Sequence, residues 1–279
     1  MAPFLEKAMQ SVFEQSGVEL EYIVIDGGST DGSVEIIKKY ADKLAFWVSE
    51  KDNGQSNALN KGLARCTGDI VAWLNADDYY EPEAFFKVAE AFKNNPKCGV
   101  VVGACRMFDV SGSEQIIRTK EVTSQSLSGY WKSYFVPPQP SMFWRKEAIQ
   151  KVGLLDTRLN YAMDLDLWLR MSKNERFYCM EDVLSHYEIH NQSKSGSGDG
   201  FDKFEQEWRH VCLRFVKQQS FGFRIRFYME RLMFGLFSKL QKGLLILGLF
   251  FKKALGVLVR LFKKVTGIKR LGVLSSSRS

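Results

Sequence analysis

The sequence predicts an α/β fold in which a mainly parallel sheet is covered by helices on both faces. Up to Met107, short apolar and partly β-branched runs alternate with segments of helical periodicity. Such alternation is typical of parallel sheets. The chain has 279 residues, 45% of them hydrophobic, and is therefore long enough to bury one large core and to carry an appendage.

The first half of the chain contains a regular series of helices and strands. Apolar residues from Phe4 to Phe13 recur at helical spacing behind Pro3, a favoured first helical residue, so an opening helix is expected. Strands are expected at Leu20–Ile25, Leu44–Ser49, Ile70–Leu74 and Gly99–Met107. Helices are expected between them at Ser33–Tyr40, Gln55–Ala64 and Glu81–Lys93.

The pattern is looser beyond residue 110. A polar stretch, Ser111–Ser128, precedes a proline-rich turn around Gln139, and helical spacing returns over Asp164–Met171. Ser193–Gly200 is rich in glycine and serine and is expected to be a flexible loop. A long helix is expected over Phe201–Gln218. A domain boundary near Ser220 would separate a body, residues 1–219, from a tail, residues 220–279.

The tail differs from the body in charge. It has thirteen Lys or Arg and one acidic residue, a net charge of +12, and since the whole chain carries +7, the body carries −5. Its most apolar run, Gly243–Phe251, is far shorter than the roughly 20 residues of a membrane-spanning helix. Apolar and basic residues alternate at amphipathic spacing, which favours binding to an anionic membrane surface. An oligomerisation arm and an RNA-binding tail are the alternatives, and we expect no nucleic-acid partner.

Cysteine usage and the first residues indicate a compartment. The five cysteines are scattered and form no C-x-x-C pair, so neither a disulfide framework nor a zinc site is predicted. Met1–Lys7 has no basic stretch followed by an apolar one, as a secretory signal requires. We expect a cytoplasmic protein held peripherally at the inner face of the cell membrane.

Acidic residues follow two of the predicted strands. Asn75–Asp78 comes directly after one strand, and Asp26–Ser33 after another. Ligands of open α/β sheets bind at the carboxyl ends of strands, so both segments are expected at one edge. Carboxylates there can hold Mg²⁺ or Mn²⁺, and the glycines after Asp26 allow a ligand to approach the backbone closely. Each segment is equally compatible with a turn and a helix N-cap.

Two further residues are candidates for chemistry. Asp164 lies near the start of a predicted helix, where a carboxylate can act as a general base, or simply stabilise the helix dipole. His190 precedes a flexible loop and can be a metal ligand, a hydrogen-bond donor to a diphosphate, or a solvated side chain.

Four segments in order carry a family resemblance, and they are Ile23–Ser33, Ser49–Gly62, Ala72–Tyr80 and Asp164–Arg170. Together they resemble the family 2 glycosyltransferases of GT-A fold, particularly bacterial enzymes of surface-polysaccharide and lipopolysaccharide assembly. The resemblance implies inverting transfer of a sugar from a nucleoside-diphosphate sugar to a hydroxyl of a saccharide or lipid-linked acceptor, with Mn²⁺ or Mg²⁺ as cofactor.

The resemblance also implies roles for individual residues. Asp26 contacts the nucleobase, Asp52 lies at the nucleotide pocket, and His190 lies near the diphosphate. Asp164 is the catalytic base, and Gln139 lies on the sugar or acceptor side. The metal site is assigned to Asp77 and Asp78, the nucleotide site also to Gly28, Ser29, Gln55, Asn57 and Asn75, and the substrate side also to Asp166.

The chain departs from the family pattern in two places. The family's first β-strand would precede Pro3, so the sequence predicts a sheet that lacks a central strand and a less complete nucleotide pocket. Asn75 stands where many relatives have Asp and is expected to be a weaker ligand. A truncated, inactive membrane-associated scaffold of the same fold is the alternative function. A nucleotidyl- or phosphotransferase is disfavoured, since no Lys or Arg accompanies the glycine turn.

Overall fold

The computed structural model describes residues 1–108, 111–129, 137–190, 193–194 and 198–236. The chain divides into two compact units, Met1–Arg224 and Ile225–Ser279. Most of the predicted amphipathic tail, including the run Gly243–Phe251, lies outside the described residues. Its division from the body at residue 220 therefore stays a prediction.

The first half of the chain follows the predicted alternation. Its helices are α1 (Ala2–Phe13), α2 (Ser33–Lys39), α3 (Gln55–Leu63) and α4 (Ala84–Asn94). Its strands are β1 (Ile23–Asp26), β2 (Phe46–Ser49), β3 (Ile70–Val71), β4 (Tyr79–Tyr80) and β5 (Val100–Phe108). Pro3 occupies the first turn of α1, which buries Leu5, Ala8, Met9 and Val12 along one face, as the spacing predicts.

The second half contains more structure than the sequence pattern indicated. Its elements are β6 (Glu114–Ile117), α5 (Ser124–Ser128), β7 (Met142–Arg145), α6 (Lys146–Val152), α7 (Met163–Met171), β8 (Phe177–Glu188) and α8 (Gly198–Lys217). Residues 221–236 are also helical. The predicted loop Ser193–Gly200 ends earlier than the sequence indicated, because residues 198–200 already belong to α8.

The strands form two sheets. β1 and β2 pair in parallel, with Ile23 opposite Phe46 and Asp26 opposite Ser49. The second sheet has the order β3-β7-β5-β8-β4, with β6 paired to β5. In the described part of the chain, β1–β2 and β5–β8 are the parallel pairs and the other pairings are antiparallel. The α/β class is confirmed, but the sheet is mixed, because β7 lies antiparallel between β3 and β5.

Strand β8 is the longest strand in the described part of the chain, and it was not predicted. It pairs with β5 in parallel, but the register shifts between Val102 and Cys105. Val102 lies opposite Cys179 and Ala104 opposite Val183, so extra β8 residues bulge between those two pairs. A bulge interrupts the two-residue alternation by which a strand is recognised in a sequence.

The core lies between the six-stranded sheet and the helices. Val100, Val101 and Val102 of β5 are fully buried, as expected for a central strand covered on both faces. Trp144 of β7 and Trp168 of α7 are buried as well. Burial of Trp168 fixes the orientation of α7 and with it the position of Asp164, one helical turn before it.

Candidate active site

The loop after β1 is organised by Asp26. Its carboxylate accepts hydrogen bonds from the Gly28 and Ser29 amides, at 3.0 and 2.9 Å, and from the Ser49 hydroxyl at 2.6 Å. Burial alone would raise the pKa of Asp26, but these hydrogen bonds outweigh it and lower the pKa. Gly28 has φ +85, and a Cβ there would lie 3.3 Å from the Lys51 amide nitrogen. The glycine is therefore required for the loops after β1 and β2 to meet.

The loop after β2 brings Asp52 to the same edge. A Cβ on Gly27 would lie 2.6 Å from the Asp52 carboxylate, so this carboxylate packs against the Asp26 loop. Asp52 also accepts a hydrogen bond of 2.9 Å from the Gly54 amide just before α3. The structure thus places Asp26, Gly28, Ser29 and Asp52 together. Asn57, in the first turn of α3, does not line the large cavity described below, whereas Gln55 does.

Asn75 connects three side chains through its amide. Gln55 Nε2 donates to Asn75 Oδ1 at 2.8 Å, and Asn75 Nδ2 donates to Gln139 Oε1 at 2.9 Å and Asp78 Oδ2 at 3.0 Å. Gln139 Nε2 in turn donates to the Trp73 carbonyl at 2.8 Å. This series fixes the orientation of each amide. Asn75 is therefore a donor that an aspartate cannot replace, rather than only a weaker ligand.

Asp77 and His190 approach each other across the site. His190 Nε2 lies 3.2 Å from Asp77 Oδ2, and the imidazole stacks on Phe4 with ring centroids 4.5 Å apart. Asp78 is buried, and its Oδ1 atom has no hydrogen-bond partner among the residues that the structure describes. Burial raises the pKa of Asp78 well above its usual range, and the neighbouring Asp77 charge adds to this.

Asp164 lies in the first turn of α7. Its Oδ1 accepts a hydrogen bond of 2.7 Å from the Leu165 amide. Burial raises the pKa of Asp164 to about 6, and the charge of Glu207 acts in the same direction. Glu207 also accepts hydrogen bonds from the amides of Asn160, Tyr161 and Ala162, at 2.7–2.9 Å, and so holds the backbone that leads into α7.

Asp166 is not brought to the site. It is buried, and its carboxylate pairs with Arg170 at 2.8 Å and with Arg214 of α8 at 2.7 Å. It lies two positions after Asp164, a spacing that on a helix points the two side chains to different faces. The contacts of Asp166 join α7 to α8, and its predicted place on the substrate side has no support in them.

One continuous cavity of about 1720 Å³ joins five of these residues, whereas Asp26, Asp52 and His190 do not line it. Gln55, Asn75, Asp77, Gln139 and Asp164 line it. This volume exceeds the roughly 300–1,000 Å³ of an ordinary ligand pocket, so there is room for a nucleotide sugar and more. The carboxylate of Asp164 and the amides around Asn75 therefore face a shared space.

The side chains of Asp77, Asp78 and His190 supply some of the ligands that a hard divalent cation requires. Within the described residues, no three His, Cys, Asp or Glu side chains are gathered in a way that would hold a metal ion. The buried Asp78 Oδ1 atom without a partner, next to the Asp77–His190 pair, nevertheless offers the carboxylate and imidazole donors that suit Mn²⁺ or Mg²⁺.

The comparison with protein families decides the identity of the chain. The model described as "Glycosyl transferase family 2" matches residues 2–152, more than half of the sequence. The chain belongs to this family. Its fold is the GT-A fold, since the solved structures that it resembles are GT-A glycosyltransferases.

Individual relatives are distant. An uncharacterized glycosyltransferase of Nostoc sp. is 26% identical over 246 residues, which cover 81% of this chain and 73% of that protein. A poly-β-1,6-N-acetyl-D-glucosamine synthase of Staphylococcus epidermidis is 32% identical over 163 residues, 55% of this chain but only 39% of the synthase. The chain thus spans about two fifths of the synthase's length.

Two solved structures show the likeness of fold. S. aureus TarS 1–349 in complex with UDP-GlcNAc has a TM-score of 0.59 at 19% identity, over 78% of this chain and 64% of that one. A mannosyltransferase of Pyrobaculum calidifontis in complex with GDP-Man and Mn²⁺ has a TM-score of 0.52 at 15% identity, over 84% of this chain and 77% of that one.

Some residues of the site were not predicted. Phe4 stacks on His190, and Glu207 holds the chain before Asp164, although both are far away in sequence. Lys194 lies above the Tyr161 ring at 5.2 Å and lines the cavity. Periodicity could only mark Phe4 and Glu207 as members of helices, because their roles depend on tertiary contacts.

Proposed function

We propose that this glycosyltransferase moves a sugar from a nucleoside-diphosphate sugar to an acceptor hydroxyl, with inversion at the anomeric carbon. The observation that carries the proposal is that Asp164 lines one cavity together with Asn75, Asp77 and Gln139. The UDP-GlcNAc and GDP-Man complexes of proteins with the same fold support a nucleotide-sugar donor.

Asp164 is the proposed general base. The oxygen of the acceptor hydroxyl attacks the anomeric carbon while its proton passes to the Asp164 carboxylate. The bond between that carbon and the diphosphate oxygen breaks, and the nucleoside diphosphate leaves with the electron pair. A pKa of about 6 suits this role, because the carboxylate is mostly ionised near neutral pH and still accepts a proton readily.

Asp26 and Asp52 are proposed to hold the nucleoside part of the donor, at the edge where β1 and β2 end. The lowered pKa of Asp26 keeps its carboxylate charged, and hence a hydrogen-bond acceptor for a base or ribose N–H or O–H group. Gln55 and Gln139, oriented by Asn75, are proposed to contact the ribose and the sugar.

Asp77 and His190 are the residues proposed to hold a Mn²⁺ or Mg²⁺ ion, with Asp78 beside them. When bound, such an ion stabilises the negative charge that develops on a leaving diphosphate. The mannosyltransferase with Mn²⁺ supports this choice of cofactor.

The experiment is a turnover assay with UDP- and GDP-sugars in the presence of Mn²⁺ and a hydroxyl acceptor or water. We expect release of nucleoside diphosphate that is lost in Asp164→Asn. Release of nucleoside monophosphate would instead indicate transfer of a sugar phosphate, and release of sugar 1-phosphate would indicate nucleotidyl transfer. Product anomers resolved by NMR test the inversion, and a retained configuration would exclude a single displacement.

The second unit supports a proposed location at an anionic membrane surface, where the acceptor would be a lipid-linked saccharide of surface-polysaccharide synthesis. No helix in the described part of the chain combines the length and apolar character needed to cross a bilayer. Within residues 225–236, however, Ile225, Met229, Leu232 and Leu236 recur at helical spacing and are 48–58% exposed. Such a stripe suits insertion between lipid head groups.

Co-sedimentation with vesicles tests this location. We expect binding to vesicles that contain phosphatidylglycerol, little binding to phosphatidylcholine alone, and loss of binding in a Met229→Asp, Leu232→Asp variant. Unchanged binding by that variant would show that its exposed stripe is not the membrane contact.

A further inference from the structure

The carboxylate of Glu207 in α8 binds the backbone just before α7. One oxygen, Oε1, accepts hydrogen bonds from three consecutive amides, those of Asn160 at 2.9 Å, Tyr161 at 2.7 Å and Ala162 at 2.9 Å. Ala162 is the N-cap of α7, and its methyl side chain cannot accept the hydrogen bond that serine or aspartate accepts at such a position. A charged side chain from a distant helix therefore fixes the start of the helix that carries Asp164.

Helix α8 holds the same part of the chain at a second point. Arg214 lies about two helical turns after Glu207, and therefore on the same face of α8. Its guanidinium contacts Asp156 at 3.0 Å and Asp166 at 2.7 Å, one residue before α7 and one within it. The intervening turn of α8 is anchored by Cys212, which is fully buried. Glu207 thus belongs to a helix that is firmly packed against α7 and the residues before it.

The linker between α6 and α7, residues 153–162, is also held by α3. Asn60 of α3 donates a hydrogen bond of 2.9 Å to the Leu155 carbonyl and accepts one of 2.9 Å from the Leu155 amide. The same helix begins at Gln55, whose side chain is hydrogen-bonded to Asn75 in the proposed donor site. The linker therefore connects the helix of the donor site with the helix of the proposed base.

Two charged side chains act on the Asp164 carboxylate in opposite directions. Burial is the main reason that the pKa of Asp164 is raised, and the negative charge of Glu207 adds to the increase. The Lys194 ammonium, which lies above the Tyr161 ring at 5.2 Å, lowers the pKa of Asp164. Removal of the Glu207 charge alone should therefore lower this pKa.

We propose that Glu207 is a positioning residue of the sugar transfer: it fixes the linker before α7, and with it the place of the Asp164 carboxylate in the cavity. Glu207 itself does not line the cavity shared by Asp164 and Asn75, so it acts on the reaction through Asp164. Displacement of a catalytic group by about 1 Å lowers a rate by about 10²-fold. This inference rests on the proposed function, in which Asp164 is the base.

The test compares three variants of the full chain. Glu207→Ala removes the acceptor of the three amide hydrogen bonds, whereas Glu207→Gln keeps an acceptor oxygen and removes the charge. Glu205→Gln is the matched control, because it removes the same charge from an exposed position of α8. Initial rates with the UDP- or GDP-sugar that the wild type turns over give kcat and KM for the donor between pH 5 and pH 8. Calorimetry gives Kd for UDP or GDP, and circular dichroism verifies folding.

We expect Glu207→Ala to lower kcat at pH 8 by about 10²-fold, while KM for the donor and Kd for the nucleotide stay within about threefold of the wild type. Glu207→Gln should recover most of this kcat. Its ratio of kcat/KM at pH 5 to kcat/KM at pH 8 should be at least about twofold higher than in the wild type and in Glu205→Gln, because a base of lower pKa stays ionised in more acidic solution.

A Glu207→Ala variant that keeps kcat within about threefold of Glu205→Gln, or that loses donor affinity as strongly as kcat, overturns the proposal. If Glu207→Ala does not fold, the pH profile of Glu207→Gln decides, and a profile equal to that of Glu205→Gln overturns the proposal.

A measurement without turnover separates this inference from the proposed function. Asp164→Asn is compared with its parent by thermal unfolding at pH 8, in the wild-type background and in the Glu207→Gln background. We expect a smaller increase in Tm in the Glu207→Gln background, because the charge that disfavours ionised Asp164 is absent there. Equal increases in both backgrounds contradict the action of Glu207 on Asp164, whereas a wild type that releases no nucleotide from any donor contradicts the proposed function.

Discussion

Replacing Asp164 by asparagine is expected to abolish turnover and at the same time to stabilise the protein. Asparagine has nearly the same shape, but it carries no charge and cannot accept a proton as a base. Burial raises the pKa of Asp164 to about 6, so the charged form that is required for catalysis is disfavoured in the folded state. Function and stability therefore make opposite demands on this position.

The size of the stabilisation expected in Asp164→Asn follows from the pKa of Asp164. An ordinary aspartate has a pKa of about 3.9, and each pH unit between that value and about 6 is worth about 1.4 kcal/mol, or about 3 kcal/mol in total at neutral pH. Solvent in the cavity screens part of the energetic cost of ionising the carboxylate, so we expect the variant to be more stable by about 2 kcal/mol. For a chain of this size that corresponds to an increase in Tm of about 4–8 °C.

The difference in stability between Asp164→Asn and the wild type depends on pH. A carboxyl whose pKa is raised by folding binds its proton more tightly in the folded state, so the wild type is penalised only where the group is ionised. The penalty is absent below about pH 4, grows between about 4 and 6, and is constant above. The variant's advantage should follow the same course.

The assay is thermal unfolding at pH 4 and pH 8, together with nucleotide-sugar turnover. We expect Asp164→Asn to unfold at a higher temperature at pH 8 only, with kcat lower by about 10²–10⁴-fold. The matched control is Asp166→Asn, which leaves Arg170 and Arg214 without their buried partner and should lower stability by about 2 kcal/mol. A Tm gain for Asp164→Asn that is equal at both pH values would show that the Asp164 charge does not destabilise the folded protein, and a variant that keeps its turnover would show that Asp164 is not the catalytic base.

Three further predictions concern the rest of the site. Asn75→Asp should raise KM for the donor more than tenfold, because aspartate cannot donate hydrogen bonds to Asp78 and Gln139. Circular dichroism should show that the variant is folded. An unchanged KM would show that the hydrogen bonds of the Asn75 amide are not needed for donor binding. Asp77→Ala and His190→Ala should each weaken Mn²⁺ binding in calorimetry, and equal affinity would exclude the pair as ligands. Gly28→Ala should lower stability by about 1–2 kcal/mol in urea unfolding, and an unchanged midpoint would contradict a strained loop.

The sequence predicted the first half of the fold well, because its short strands and amphipathic helices keep regular periods up to β5. The family resemblance assigned both Asp26 and Asp52 to the nucleotide pocket, and the structure brings their loops into contact. The second half of the fold was harder to predict from the sequence. The bulge in β8 breaks the alternation of that strand, and β7 and α6 are too short for a periodic signal.

Within the site, motif positions were more predictable than their partners. Asp77 and His190 were each proposed from local sequence, and their contact at 3.2 Å could not be, since 113 positions separate them. Asp166 shows the opposite case. Its motif suggested substrate binding, but Arg214, far along the chain in α8, provides a structural partner that local sequence does not reveal.

Sugar transfer at the cavity lined by Asp164 and Asp77 is tested by the identity of the nucleotide that the protein releases. Purified protein is incubated with UDP- and GDP-sugars and Mn²⁺, and the nucleotide products are separated by chromatography. We expect nucleoside diphosphate from at least one donor, with release lost in both Asp164→Asn and Asp77→Ala. Release of nucleoside monophosphate, or diphosphate release that both variants retain, would contradict the account.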